Sequence, residues 1–404
     1  MRPVEICKDV FWTGVVDWNS RDFHGYALSP RGTTYNAYLV KDEKLTLFDT
    51  VSANHAGELI CAISHLAKPE DVDYLVLNHL EPDHAGALPR IVEACKPEKI
   101  FCSPMGLKAM KTYFHDAVDA WPVQTVKTGD SISLGRREVH FVETRMLHWP
   151  DSMVSYLPQD KLLISQDAFG QNIASSERFV DQMNRHAVHR AMQEYYANIV
   201  LPYSPVVLKT LDQIATLGLE IDIVAPDHGL IFRTPEDVQF VFDSYREFAE
   251  QKPRNKAVIV YDTMWRSTAS MAEAIASALE SEGVEVKLMW LKANHHSAVM
   301  TEVLDAAAVI VGSPTHNNGV LPFVAEVLQY MTGLRPQNKI GASFGSFGWS
   351  GESVKVIAEH LQKMNMELPA EPVKCQNKPT HADLARCVEL GKTLAQAIQA
   401  KTVA

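Results

Sequence analysis

The stretch Asp73-Tyr74-Leu75-Val76-Leu77-Asn78-His79-Leu80-Glu81-Pro82-Asp83-His84 runs an apolar segment straight into four metal-ligand side chains. The apolar residues predict a strand over 73–78 that delivers His79 at its C-terminal end. A loop leaving a strand turns alternate side chains toward one point, while the next histidine faces a neighbouring point. The spacing therefore suits two adjacent metals better than one, although polar residues that merely decorate a loop would look the same. Three later segments favour the metals: Leu147-His148-Trp149-Pro150-Asp151, Gln166-Asp167-Ala168-Phe169-Gly170 and Pro226-Asp227-His228-Gly229. Each puts a ligand-type residue just past an apolar run.

Working outward, Tyr35–Val40 and Leu45–Phe48 read as adjacent strands, and a second strand series surrounds 139–143 and 161–165. Helical patterns fall at 54–67, 104–114, 186–199 and 205–217. Strands in series with interspersed helices suit sheets layered between helices. The polar stretch 247–256, which contains Pro253, marks a linker. Beyond it strands at 257–261, 284–290, 307–312 and 339–344 alternate with helices at 268–281, 322–332, 351–364 and 382–399. That alternation predicts a doubly wound parallel sheet.

Length and composition set limits. A chain of 404 residues exceeds a single ordinary core and predicts two domains, 1–250 and 255–404. No apolar run approaches the roughly 18–20 residues that span a bilayer, and the N-terminus lacks a signal-peptide pattern, so the expected location is cytoplasmic with no membrane partner. The net charge of −11 argues against nucleic acid. Residues 254–404 hold 14 basic and 14 acidic side chains, so the whole excess falls on the first 253. Six cysteines include no C-x-x-C pair, so any iron–sulfur electron donor must be a separate protein.

The second half carries three loops at predicted strand ends. In the first, Thr263, Met264, Trp265, Arg266, Ser267 and Thr268 lead into a helix whose free N–H groups, with the hydroxyls, suit a terminal monophosphate. It lacks the glycines and lysine of a nucleoside-triphosphate loop. The second loop contains Pro314, Thr315, His316, Asn317, Asn318 and Gly319, and the third Ser346, Phe347, Gly348, Trp349, Ser350 and Gly351. All lie where a doubly wound sheet places its ligand.

The ordered ligand motifs over about residues 30–230 resemble the metallo-β-lactamase superfamily, and the three loops over about 255–400 look like flavodoxin. Together they closely resemble the flavodiiron proteins, or A-type flavoproteins, in their rubredoxin:oxygen oxidoreductase form. The resemblance implies an α/β fold, with an N-terminal αββα sandwich followed by a flavodoxin-like sheet. It implies that His79, Glu81 and His148 hold one iron, that Asp83, His84 and His228 hold the other, and that Asp167 bridges them. His84 is the open position, because it follows Asp83 directly and a water could replace it. The related zinc hydrolases commonly carry His where this chain has Glu81, and the carboxylate shifts the site toward iron.

The second half would bind FMN, with its phosphate on 263–268 and its ring held by 314–319 and 346–351, Trp349 being a candidate to flank it. The implied activity is reduction of O2 to water or NO to N2O, with electrons from a separate rubredoxin. Four electrons are needed per O2, which a reduced FMN and two ferrous ions store. A head-to-tail homodimer, or a dimer of such dimers, is implied too. His24 and Tyr195 are pocket candidates with an equally good structural reading. Rival readings are a zinc hydrolase with a regulatory flavin domain and a non-enzymatic electron carrier.

Overall fold

The computed structural model describes residues 2–403 and divides into two compact units. The first contains residues 29–195 and 203–246 together with the N-terminal segment up to Gly25; the second contains 247 onward plus two short excursions, Tyr26–Leu28 and Tyr196–Pro202.

In the first unit a seven-stranded sheet runs in the order Val4–Cys7, Val10–Trp12, Tyr38–Val40, Thr46–Phe48, Tyr74–Leu77, Lys99–Cys102, Val123–Thr125. Its first four strands pair antiparallel and the rest parallel. Successive side chains of a strand face opposite ways, and here that period divides two cores. Tyr38, Val40, Phe48, Val76 and Phe101 join a core with Phe141, Met153, Leu162, Ile164 and Ala225 of a second sheet. Their neighbours Leu39, Leu47, Leu75, Leu77 and Ile100 pack instead with Leu59, Ile63, Leu88 and Ile91 of the covering helices Ala56–Ser64 and Leu88–Cys95. The second sheet has five strands, Ser131–Ser133, Glu138–Glu143, Met153–Leu157, Leu162–Gln166 and Ile223–Pro226, antiparallel until the last pair.

The second unit is built on a parallel sheet ordered Glu285–Trp290, Arg254–Tyr261, Ala306–Gly312, Ile340–Phe347, Val373–Gln376. Its three central strands are buried almost throughout, as helices on both faces require. Helices Ser267–Ser281 and His381–Val403 cover one face through Ile275, Leu279, Leu394 and Ile398.

The units divide after Arg246, at the start of the polar stretch 247–256, and that stretch is partly structured: helix Pro235–Glu250 runs into it and strand Arg254–Tyr261 starts inside it. Val241, Tyr245 and Phe248 are buried along that helix, so the charged residues at its end are its solvent face. The helix expected at 186–199 is α-helical over Arg185–Tyr195 and widens to a π-turn over Tyr196–Val200. Fold-competent short strands at Lys99–Cys102, Ile223–Pro226 and Val373–Gln376 were not anticipated.

Lys339, at the entry to strand Ile340–Phe347, is buried, its Nζ donating to the Leu304 carbonyl at 2.9 Å. Burial pushes its pKa from the ordinary 10.5 down to about 7, against the pull of Asp305. Below pH 7 the folded chain buries the full charge. Between pH 7 and 10.5 the unfolded chain keeps the proton that the folded one has shed, so stability rises with pH. Lys339→Met is therefore expected to raise the unfolding free energy measured in urea at pH 6.5 by on the order of a few kcal/mol. That advantage should shrink toward pH 10; a pH-independent difference would contradict it.

Candidate metal centre and flavin pocket

Every ligand candidate sits at a strand end or in the turn after it. His79 and Glu81 follow strand Tyr74–Leu77, and Asp83 and His84 lie in the four-residue helix Pro82–Ala85. His148 follows strand Glu138–Glu143, Asp167 follows Leu162–Gln166, and His228 follows Ile223–Pro226. Folding gathers these seven into two groups, His79, Glu81, His148 with Asp167, and Asp83, His84 with His228, with the ligand atoms in each within 4.8 Å of one another.

Asp167 faces both groups. Its Oδ2 lies 2.9 Å from His148 Nε2 and 3.3 Å from His79 Nε2. Its Oδ1 lies 3.0 Å from His84 Nε2 and 3.5 Å from His228 Nε2. Glu81 Oε2 is 3.2 Å from His79 Nε2 and 3.1 Å from His148 Nε2, and Asp83 Oδ2 is 3.2 Å from His228 Nε2. These edges match the ~3.0 Å between neighbouring ligands that ~2.1 Å metal bonds at right angles produce. His84 is fully buried, with Nε2 turned inward 3.1 Å from His228 Nε2.

Outer contacts fix which nitrogen points in. His79 Nδ1 donates to Asp151 Oδ2 at 3.1 Å, and that oxygen also accepts from the Leu80 amide at 2.7 Å. His228 Nδ1 donates to the Thr34 carbonyl at 2.6 Å. With Nδ1 committed to these acceptors, each ring turns Nε2 toward carboxylate oxygens, a convergence of donor atoms that suits a cation between them. Asp83 Oδ1 and Asp167 Oδ1 are buried and accept no hydrogen bond. The electrostatics show the same demand. Burial opposes charge on His79, His84 and His148, yet the carboxylates hold all three above their ordinary pKa, His84 at about 10. Against the same burial penalty, the histidines hold Glu81, Asp83 and Asp167 low. A pair of dications fits this donor set better than shared protons do.

Four neighbours complete the setting. Asp49 accepts from the Asn78 amide at 2.6 Å and its Nδ2 at 2.7 Å, bracing the turn before His79. Asp227 is fully buried, and burial raises its pKa, with Asp49 adding to the rise. Tyr195 is buried with its hydroxyl unpartnered and its ring 5.8 Å from His228. His24 Nε2 lies 2.5 Å from Glu81 Oε1. Sequence reasoning assigned no role to Asp151, although it stands in the quoted segment three residues after His148, and a carboxylate that near a ligand histidine was the available signal.

In the second unit a cavity of about 1040 Å³ opens at the carboxyl ends of the sheet. Met264, Trp265, Arg266 and Ser267 line it, as do Pro314, Thr315, His316, Asn317 and Asn318, and Ser346, Phe347, Gly348, Trp349 and Ser350. Thr263, Thr268, Gly319 and Gly351 do not. Thr268 Oγ1 instead binds Ser346 Oγ at 3.0 Å, joining the first and third loops. Gly319 closes a turn on His316 in which Asn317 and Asn318 both have positive φ, 48° and 60°, which asparagine tolerates. Thr263 Oγ1 is buried without a partner. The helix Ser267–Ser281 begins with no side-chain cap, so its first N–H groups are available to an anion. Trp265 and Trp349 are 89% and 93% exposed, an unfavourable display for indole rings in water. An anionic phosphate with a flat aromatic ring suits these features. A fourth group, Asn377, Lys378, Pro379 and Leu384, also lines the cavity. It was missed because strand Val373–Gln376 was missed; the strand-end rule applied there would have found it.

Fold and site together define a two-metal, lactamase-like module joined to a flavin module. The profile described as ODP family beta lactamase matches residues 33–229, and the flavodoxin profile matches 259–391. The chain is 58% identical over 404 residues to the rubredoxin-oxygen oxidoreductase of Megalodesulfovibrio gigas, covering 100% of both. It is 45% identical over 399 residues to a nitric oxide reductase of Moorella thermoacetica, covering 98% of this chain and 99% of that one. The crystal structure of the flavodiiron protein from Giardia intestinalis superposes with a TM-score of 0.94 at 29% identity, over 100% of this chain and 98% of that one. The chain belongs to the flavodiiron protein family.

Proposed function

We infer that this oxidoreductase passes electrons from rubredoxin through FMN to a di-iron site that reduces O2 to water, NO to N2O, or both. The observation that carries it is the pair of ligand groups sharing Asp167 in a chain that also holds a flavin-type cavity. The names of the relatives from M. gigas and M. thermoacetica support the donor and the two gases.

The proposed ligands are those of the two groups, with His84 included because its ring is directed inward. Iron supplies Lewis acidity and a two-electron store, and FMN turns single electrons into pairs. The chain's own part is to hold and exclude. Asp151 and Thr34 lock His79 and His228 in one tautomer. Burial of His79, His84, His148 and His228 keeps bulk water from the donor atoms, and a diatomic gas needs only a narrow path. In the flavin cavity the uncapped helix start at Ser267 would take the phosphate, with Trp349 and Trp265 beside the ring.

The family resemblance supports a head-to-tail homodimer that brings one subunit's flavin to the other's metals. The six free cysteines suit a reducing cytoplasm. Among the described residues, no helix is long and apolar enough to cross a membrane. The domains are taken as 1–250 and 255–404.

The test is steady-state turnover with reduced rubredoxin on protein of measured iron and FMN content, comparing O2 with NO. Turnover of either gas that scales with iron content is expected. Protein that carries zinc and no iron, and hydrolyses esters without consuming gas, would overturn the reading.

A further inference from the structure

Glu81 uses its two oxygens differently. Oε2 converges with His79 Nε2 and His148 Nε2 at 3.2 and 3.1 Å, whereas Oε1 points away from that centre and meets His24 Nε2 at 2.5 Å. A carboxylate only accepts, so the Nε2 of His24 must carry the hydrogen whatever the ring's charge. Glu81 is 5% exposed, so bulk water has little access to Oε1.

The chain holds His24 there deliberately. Directly after strand Asp22–Phe23, His24 and Gly25 both take left-handed backbone, φ 57° and 73°. Such a conformation costs a non-glycine residue energy and persists where other contacts fix it. Asp22 Oδ1 accepts from the Gly25 amide at 3.0 Å, and the Ser29 amide donates to the Arg21 carbonyl at 3.0 Å, which fixes the turn. The buried Phe23 ring lies 3.9 Å from the His24 ring and 5.5 Å, edge on, from His228. His24 is thus wedged against the site by a side chain that also touches the opposite ligand.

We propose that His24 is a positioning residue that ties up Glu81 Oε1, so that Glu81 binds its iron through Oε2 alone. A carboxylate free at both oxygens can rotate to chelate and occupy a second coordination position on the same metal. His24 prevents that rotation and keeps one position of the His79–Glu81–His148 iron for the gas. The proposal rests on the di-iron reading given above.

The test uses full-length holoprotein reconstituted with FMN and 57Fe, as wild type, His24→Ala and His24→Gln. Glutamine places an N–H donor near the position of Nε2. In Mössbauer spectra of the reduced protein, His24→Ala is expected to shift the doublet of one iron and leave the other in place. Iron loss to a chelator from that variant should be faster by about 10–100-fold, the usual scale for outer-contact changes. Its kcat should fall more than its KM changes, and His24→Gln should restore both the doublet and the release rate. Wild-type spectra without two iron components would overturn the di-iron reading itself. Two components in the wild type that are unaltered in His24→Ala would overturn only this assignment. Equal disturbance of both irons with no rescue by glutamine would overturn it too, since that marks a general loosening of the pocket.

Discussion

Asp167→Ala is expected to empty both metal positions and to lower gas reduction by well over about 100-fold while leaving FMN bound. Changes to residues that only support a ligand typically cost 10–100-fold, and Asp167 touches both groups directly, through Oδ2 on one side and Oδ1 on the other. Removing it takes an anionic donor from each iron and leaves His84 and His148 facing a hole. The flavin cavity is lined only by residues of the second unit, 264 to 384, so its occupancy should not change. Iron analysis and flavin absorbance on the same sample measure both. Retention of two irons per chain would mean that the carboxylate does not bridge.

Glu81→His is expected to keep a metal but change which one. The substitution restores the residue common in related zinc hydrolases and replaces a hard anionic oxygen with a borderline neutral nitrogen. Protein loaded from equal iron and zinc should then favour zinc. Zinc has no accessible second oxidation state, so rubredoxin-driven gas consumption should fall by more than about 100-fold, beyond the range for supporting residues. FMN reduction by the donor should remain. The extra ring atoms meet His79, His148 and His24 at close range, so a parallel Glu81→Asp variant separates loss of charge from crowding. The aspartate should retain iron preference; preference for zinc in both variants would locate metal choice outside this carboxylate.

Much of the site was legible because its chemistry is local. His79, Glu81, Asp83 and His84 fall in one short segment, and His148, Asp167 and His228 each follow an apolar run, so residue type and spacing alone point to them. The flavin loops were legible for the same reason, by the rule that ligands gather at the strands' carboxyl ends. Where a strand was missed, at Val373–Gln376, the loop that follows it was missed as well. The polar stretch 247–256 marks where the units divide, but composition reports polarity and not face: Glu247 and Glu250 lie on a helix whose other side buries Tyr245 and Phe248.

The sequence by itself determined the ligand types, their order, the strand–helix rhythm of each half and the family. The division of the candidate ligands between two points came only from the family resemblance, and the tertiary structure alone decided which oxygen of Asp167 faces which group. It also decided that His84 turns inward and that His24, 57 positions before Glu81, closes on its second oxygen. The physical reason is distance along the chain. A strand's period fixes where a neighbouring side chain points, but the approach of residues 24, 81, 148, 167 and 228 depends on how two sheets pack through their shared core, and no local pattern encodes that.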